Sequence, residues 1–458
     1  MRSFFGILPL RVRYADVSAP PETLPLPYKV TLLGLSRTPS DLTLRVGDEV
    51  KTGQNLAPVG GSPFVSTATG VVEEIGTLKG ADGHQYVSVF VKPNPVDLFD
   101  PSLITIDDFT KARPVELRMA IIRAGFSDLS AISFDAEAWP KVETLILSAL
   151  DLDPLGVANQ QAFRDQADRV YEAMQLLTMA TEPSRCVLAV PNNLADVATN
   201  ISLGSETLVL VPAVYPNGLK EILARKYGAG LLLKSKDGGV VGNTLVISVE
   251  EAISMVSSLK TGKPHLEKTI TLTNGNNGAP RNFKIRIGTP IRHLLETAGV
   301  TLQSKGKLIV NGIMGGYACF SDEQPITSET AAIHVQAPGE VSLFQDAACM
   351  NCGKCNAICP VDLEVNLLGR YSQYGIYDKC KHLGAENCIA CGLCAYVCPA
   401  RRPLVHLISH AKQMIETEVL ESGTRGEALP CDTCEATCPT IRLFEPASKE
   451  QRPSIRDS

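Results

Sequence analysis

Residues 349–360 read CMNCGKCNAICP and residues 388–399 read CIACGLCAYVCP. Both are C-x2-C-x2-C-x3-C-P, and their first cysteines lie 39 residues apart. That is the ligand spacing of paired 4Fe–4S centres. Three thiolates on one tight loop cap three irons of a cubane. The fourth, followed by proline at the start of a helix, ligates the other centre of the pair. Cys349, Cys352, Cys355 and Cys398 are therefore assigned to one 4Fe–4S cluster, and Cys388, Cys391, Cys394 and Cys359 to a second. Gly353 and Gly392 suit loops whose backbone must approach sulfur closely. Zinc is the competing metal, but it favours paired C-x2-C knuckles over a triple-plus-one run.

A third run, CDTCEATCP at 431–439, lacks its first cysteine, since Ala428 stands where the spacing requires one. Cys431, Cys434 and Cys438 could hold a third cluster with an outside ligand, for which Cys380 is the candidate, or no metal at all. Cys186 and Cys319 stand apart and are expected to be buried structural thiols.

Of the 14 cysteines, 12 follow residue 348 in a chain of 458. A disulfide framework would spread them through a small secreted chain. Concentration in one stretch points to metal. The chain is 44% hydrophobic and 20% charged, ordinary for a globular protein. A net charge of −6 and a pI near 5.8 leave no nucleic-acid footprint. No run approaches the ~18 apolar residues that span a bilayer, and MRSFFGILPLRVRY is too short and too soon recharged for a signal peptide. The expectation is a protein on the cytoplasmic side of the membrane, peripheral to it through partners. Residues 349–412 carry a local excess of positive charge. It either steers an acidic redox partner or offsets the negative charge of the clusters.

The elements that must position these cysteines read as a multidomain α/β and α+β chain. Residues 1–100 alternate β-branched runs with glycine-rich turns (LPLPYKVTLLG, LRVGDEVKTGQNLAPVGG, VSTATGVVEEIG), which suits a small all-β unit. Its VGDEVKTGQ turn is similar to the hammerhead turn of biotinyl and lipoyl carrier domains, without the carrier lysine, so a barrel-sandwich unit is expected. Residues 101–260 alternate apolar runs with helical patterns (VETLILSAL, CVLAVP, TLVLVP, LKEILARKYG), an α/β unit with a mostly parallel sheet. Ligands on such sheets sit at the carboxyl ends of the strands. Residues 261–345 suit a β-grasp unit around PIRHLLETAG. Residues 346–412 form the two-cluster domain. Residues 413–458 are expected to be a Glu-rich tail ending in a disordered KEQRPSIRDS.

The order LPLPYKV, VGDEVKTGQ, YPNG (215–218), IGTPIRHLLETAG (287–299), NGIMGG (311–316) and then two ferredoxin-type runs resembles the C subunit of Rnf-type ion-translocating oxidoreductases. Cobalamin reductases of propanediol-utilising organelles share much of that layout. The resemblance covers about residues 24–412. It implies a unit like the flavin subunit of respiratory complex I, with FMN and NADH bound in the α/β domain and clusters linking that site, or a ferredoxin, to membrane subunits. The β-grasp unit would then be of the SLBB type.

The family's flavin loop looks like AG-x-x-G-x-G-G-x-x-F followed by proline. Here 124–134 read AGFSDLSAISF. Ala124, Gly125 and Phe134 match. The phosphate-lining glycines fall on Asp128, Ser130 and Ala131, and the proline on Asp135. A carboxylate ~4 Å from a phosphate charge costs about 4 kcal/mol at an effective dielectric near 20, roughly a thousandfold in affinity. The family's Glu-x-Glu-Pro aligns with Asp151, Leu152, Asp153 and Pro154, whose carboxylates serve either the site or the loop as caps. The expectation is a retained scaffold that has lost its FMN and NADH site. The chain would then be an electron-transfer subunit joining a ferredoxin, a cytochrome or another subunit to the membrane partners. The alternatives are a working FMN-dependent NADH dehydrogenase or cobalamin-reductase-like subunit, and an adaptor whose clusters are structural.

Overall fold

The apolar runs TLILS, RCVLAVP, TLVLV and TLVIS form one parallel sheet, as near-continuous apolar strands do when helices cover both faces. The computed structural model describes residues 12–16, 19–34, 42–57, 64–80, 85–126, 139–199, 201, 207–228, 234–236, 239–275, 278–341, 343–345 and 347–424. The sheet runs Thr244–Ser248, Thr144–Ser148, Arg185–Pro191, Thr207–Val211, each pair parallel. Leu145 and Leu147 point to one face, where helices Pro114–Arg123, Ala167–Thr181 and Val249–Thr261 pack with Leu117, Met174 and Val256. Ile146 points to the other, against Leu223 and Ala224 of helix Lys220–Tyr227.

The N-terminal β unit is an antiparallel sheet ordered Val30–Gly34, Gln85–Pro93, Gly70–Lys79, Glu49–Val50. Val87, Val89 and Val91 enter its core with Val30, Leu32 and Phe64. A second, mixed sheet runs Glu22–Thr23, Arg281–Arg286, Glu267–Asn274, Ala332–Gln336, Lys307–Val310, Tyr317–Cys319. Helix Ile291–Ala298 lies on it, burying Ile291, Leu294 and Leu295, and stops at Gly299 in the left-handed region.

These two sheets are locked together by charge. Arg286 donates two hydrogen bonds to Asp97, at 2.9 and 2.7 Å, and a third to the Thr67 carbonyl at 2.7 Å. Thr52 also donates to Asp97 at 2.7 Å. Together these donors hold the Asp97 carboxyl below the usual range against the opposing effect of burial.

The C-terminal unit packs helices Val365–Gln373, Tyr377–His382 and Leu404–Thr424 around Leu368, Cys380, Ile408, Ala411 and Ile415. Two expected boundaries move. Residues 12–16 and 19–23 leave the N-terminal β unit, because Arg13 bridges to Val214 and Glu22–Thr23 pair with Phe283 and Lys284. The tail expected from residue 413 begins as helix, since Leu404, Ile408, Ala411 and Ile415 continue one apolar stripe past residue 412. KEQRPSIRDS lies outside the described residues.

Candidate metal centre

The two cysteine runs fold into the same local structure. Each places a non-glycine residue in the left-handed region at its third position, Asn351 and Ala390, and a glycine there at its fifth, Gly353 and Gly392. Each glycine opens a one-turn helix, Lys354–Ala357 or Leu393–Tyr396. Asp362 and Arg401, three residues beyond the fourth cysteine of each run, are left-handed as well. Identical spacing has produced identical backbone twice.

The fourth cysteines cross over. Cys349, Cys352, Cys355 and Cys398 line one recess together with Lys354 and Pro399. Cys359 instead acts on the other run. Burial pushes the Cys391 thiol up to about 11, and Cys388 and Cys359 raise it further within that value. Burial also raises Cys388, with Cys359 adding to it. Burial, then Cys349 and Cys352, push Cys355 up to about 11. Cys394 is raised more strongly, by burial and then by Cys391 and Cys388. Four thiols that burial and neighbouring thiols keep protonated, Cys355, Cys388, Cys391 and Cys394, are what a cationic centre would ionise together. Among the described residues no three His, Cys, Asp or Glu side chains gather tightly enough to hold a single metal ion. Cys349, Cys352, Cys355 and Cys398 ring a recess, and two sets of four soft donors on loops of this shape fit 4Fe–4S groups.

The surroundings of the quartets differ. Near Cys349, the Asn351 side-chain Oδ1 accepts from Arg370 at 2.8 Å, and Met350 is 62% exposed. The second quartet faces inward. The Tyr215 hydroxyl donates to the Cys391 carbonyl at 2.7 Å, and Lys412 donates to the Cys388 carbonyl at 3.3 Å. Gly392 lies against the backbone of Met314, so close that a Cβ there would be 2.9 Å from the Met314 carbonyl carbon and nearer still to its oxygen. The 311–316 turn is in its turn held by Asp153, whose carboxylate accepts from Met314 N at 3.0 Å and from Leu155 N at 3.0 Å.

Asp151 does a capping job. Helix Ala158–Asp165 starts after Val157, which offers no side-chain oxygen. Asp151 supplies it, accepting from Asn159 N at 2.8 Å, Gln160 N at 3.3 Å and Gln160 Nε2 at 3.1 Å. Burial pushes both Asp151 and Asp153 up to about 6.

The carboxyl edge of the parallel sheet is covered by residues 12–16. Tyr14 N donates to Ala213 O at 3.3 Å, Ala15 N to Pro154 O at 2.8 Å, and Tyr215 N to Val12 O at 2.8 Å. The Tyr14 hydroxyl, buried beside Leu150, accepts from Gly218 N at 3.0 Å. Of the AGFSDLSAISF stretch, Ala124, Gly125 and Phe126 are described. Gly125 is left-handed, and Phe126 stacks on His265 at 4.4 Å. Asp128, Ser130, Ala131, Phe134 and Asp135 lie outside the described residues, as do Cys431, Cys434 and Cys438.

Cys380 is fully buried, with its thiol 3.8 Å from the Leu368 carbonyl, a core residue of the C-terminal unit. Cys186 and Cys319 are half-buried rather than buried. Cys319 sits on an edge strand and donates to Ser321 O and Gln324 Oε1, and Cys186 is the second residue of its strand, beside the Thr178 hydroxyl.

A family model for the 4Fe-4S dicluster domain matches residues 342–414. The C subunit of the Na(+)-translocating ferredoxin:NAD(+) oxidoreductase complex of Acetobacterium woodii is 27% identical over 86% of this chain and 91% of its own length. The C subunit of the ion-translocating oxidoreductase complex of Methanosarcina acetivorans is 28% identical over 83% of this chain and 90% of its own. Over most of its length the chain is similar to the C subunits of ion-translocating oxidoreductase complexes. That of Serratia proteamaculans is 27% identical over 92% of this chain and 62% of its own. Among solved structures, an NAD+-reducing NiFe hydrogenase in the H2-reduced state aligns over 71% of this chain and 69% of its own at 14% identity, with a TM-score of 0.38.

Two residues at the inward quartet, Tyr215 and Lys412, escape a reading of the sequence. The signal for Tyr215 was the pair of YPNG and NGIMGG turns, whose glycines mark close backbone approach. Lys412 carried none.

Proposed function

We propose that the chain is a peripheral iron–sulfur electron-transfer subunit of an Rnf-like membrane oxidoreductase complex. The observation that carries this is the pair of crossed thiol quartets, Cys349/Cys352/Cys355/Cys398 and Cys388/Cys391/Cys394/Cys359. Each quartet holds a 4Fe–4S cluster, which supplies one-electron exchange at the potential its surroundings set. Cys431, Cys434 and Cys438 are not needed for either. The protein's own residues then do three things. The left-handed Asn351, Gly353, Ala390 and Gly392 turn the loops so that the thiols face inward. Helices Val365–Gln373 and Leu404–Thr424 keep water from the inner side of both quartets. The exposed rim around Met350 offers a contact for a redox partner, a ferredoxin, a cytochrome or another subunit.

The finer units of the fold take the family's roles as well: the N-terminal β unit is a barrel-sandwich unit, the α/β unit is of the complex I flavin-subunit type, and the mixed sheet with its helix is an SLBB-like β-grasp unit. In this reading the α/β unit no longer oxidises NADH. Residues 12–16 fill the carboxyl edge of its sheet, and Asp151 and Asp153 are spent on a helix cap and on the 311–316 turn. The subunit sits on the cytoplasmic side of the membrane. Among the described residues no helix is long and apolar enough to cross one.

The test uses anaerobically reconstituted protein. NADH with FMN is expected to leave the visible cluster absorbance unchanged, while dithionite or reduced ferredoxin bleaches it. Bleaching by NADH would restore the flavin-dependent dehydrogenase reading.

A further inference from the structure

We propose that Tyr215 and Lys412 are positioning residues that raise the reduction potential of the Cys359/Cys388/Cys391/Cys394 cluster alone, by donating to the carbonyls of two of its ligand residues. This rests on both quartets holding clusters. Tyr215 comes from the α/β unit and Lys412 from the last described helix, so two units far apart in sequence converge on one loop. The Tyr215 hydroxyl lies 2.7 Å from the Cys391 carbonyl and the Lys412 ammonium 3.3 Å from that of Cys388. Tyr215 is 3% exposed and packs with Met314 and Leu393, so its O–H direction is set by the core. Each donor brings positive charge toward a group that becomes more negative on reduction. Outer hydrogen bonds of this kind are among the levers that set cluster potentials. The first quartet has a different outer partner, Arg370 acting through Asn351.

The two donors are physically distinguishable. Lys412 carries a full charge at a half-buried site, so salt screens it. Tyr215 contributes a buried dipole that salt does not reach. Tyr14 provides the control. It packs edge-on to Tyr215 at 6.5 Å and holds the same YPNG turn, its hydroxyl accepting from Gly218 N at 3.0 Å instead of pairing with the carbonyl of a ligand residue.

The experiment is a potentiometric titration of the full, anaerobically reconstituted chain, followed by electron paramagnetic resonance, on Tyr215→Phe, Lys412→Gln and Tyr14→Phe. Tyr215→Phe and Lys412→Gln are each expected to shift the same one of two midpoints to more negative potential. The shift reaches about tenfold in electron occupancy, ~59 mV for one electron. Added salt shrinks the difference for Lys412→Gln and leaves that for Tyr215→Phe. Tyr14→Phe lowers thermal stability and moves neither midpoint. Unchanged midpoints, both midpoints moving together, or an equal shift in Tyr14→Phe overturns the inference. A parent chain that assembles no iron overturns the underlying cluster reading instead, and the iron count separates the two failures.

Discussion

Gly392→Ala tests whether the inward quartet is seated by the 311–316 turn. Gly392 is left-handed at φ +75, and its new Cβ would stand 2.9 Å from the Met314 carbonyl carbon. A residue with a side chain in that region costs roughly 1–2 kcal/mol. The turn must also retreat by roughly 1 Å to restore ordinary contact. It cannot do so freely, because Met314 N is bound to Asp153 and a Cβ on neighbouring Gly312 would already overlap that carboxyl. Overpacking of this kind costs about 1–3 kcal/mol, so the total is about 2–5 kcal/mol. Gly47→Ala is the matched control. It is left-handed at φ +96 with nothing within 4 Å, so it carries only the conformational cost. Both variants would be unfolded in denaturant under anaerobic conditions, and their iron challenged with a chelator. Gly392→Ala should be the less stable by about 1–3 kcal/mol and should release iron from one site faster than from the other. Equal stability and equal iron release in the two variants would refute the claim that the turn seats the loop.

Asp97→Ala should cost about 2–4 kcal/mol, somewhat below the range for a fully buried pair, because it leaves Arg286 between two sheets without its carboxylate; denaturant midpoints measure it. Cys359→Ser should alter the signal that Cys391→Ser alters and spare the one that Cys355→Ser removes, read by electron paramagnetic resonance of the reduced protein. The reverse pattern would mean that the fourth cysteines serve their own runs. Asp151 and Asp153 should titrate near 6, visible as an infrared carboxyl band that halves in Asp153→Asn. The sign follows from burial: a folded pKa above the unfolded ~3.9 means that the native state holds protons the unfolded chain has released between about pH 4 and 6. These two groups therefore oppose folding fully above that window, and they favour it increasingly as pH falls through it. A band titrating in the ordinary carboxylate range would show that burial does not govern them.

What could be read from the sequence was whatever depends on near neighbours. The repeat of the two cysteine runs was legible because a fixed spacing makes a fixed loop, and the two loops share left-handed positions down to Asp362 and Arg401. The parallel strands were legible as apolar runs, and PIRHLLETAG as the segment around which the mixed sheet is built. The continuation of the last helix past residue 412 was also present in the stripe Leu404, Ile408, Ala411, Ile415, but the Glu-rich composition outweighed it. Residues 12–23 carried no such signal. Their short polar stretch has no period, and their partners, Ala213, Gly218 and Phe283, lie some two hundred residues away or more. Asp97 and its partner Arg286 likewise lie 189 residues apart, so nothing local marked the pair.

The junction around Gly392 was hidden for a different reason. A glycine needed for a turn and a glycine needed for backbone contact look the same in a sequence, and NGIMGG contains both kinds. Only the fold brings Met314 against Gly392 and Tyr215 against Cys391. That contact also gives the α/β unit a structural task that needs no nucleotide. Residues 12–16 lie along the carboxyl edge of the sheet, bonded to Pro154, Ala213 and Tyr215. The buried tyrosine is held against a ligand residue, and the carboxylate extends to the turn. Both keep their positions only if the strands beneath them keep their shape. If the potentiometric shift expected of Tyr215→Phe is found, holding that contact is reason enough for the sheet to stay folded, with or without a ligand of its own.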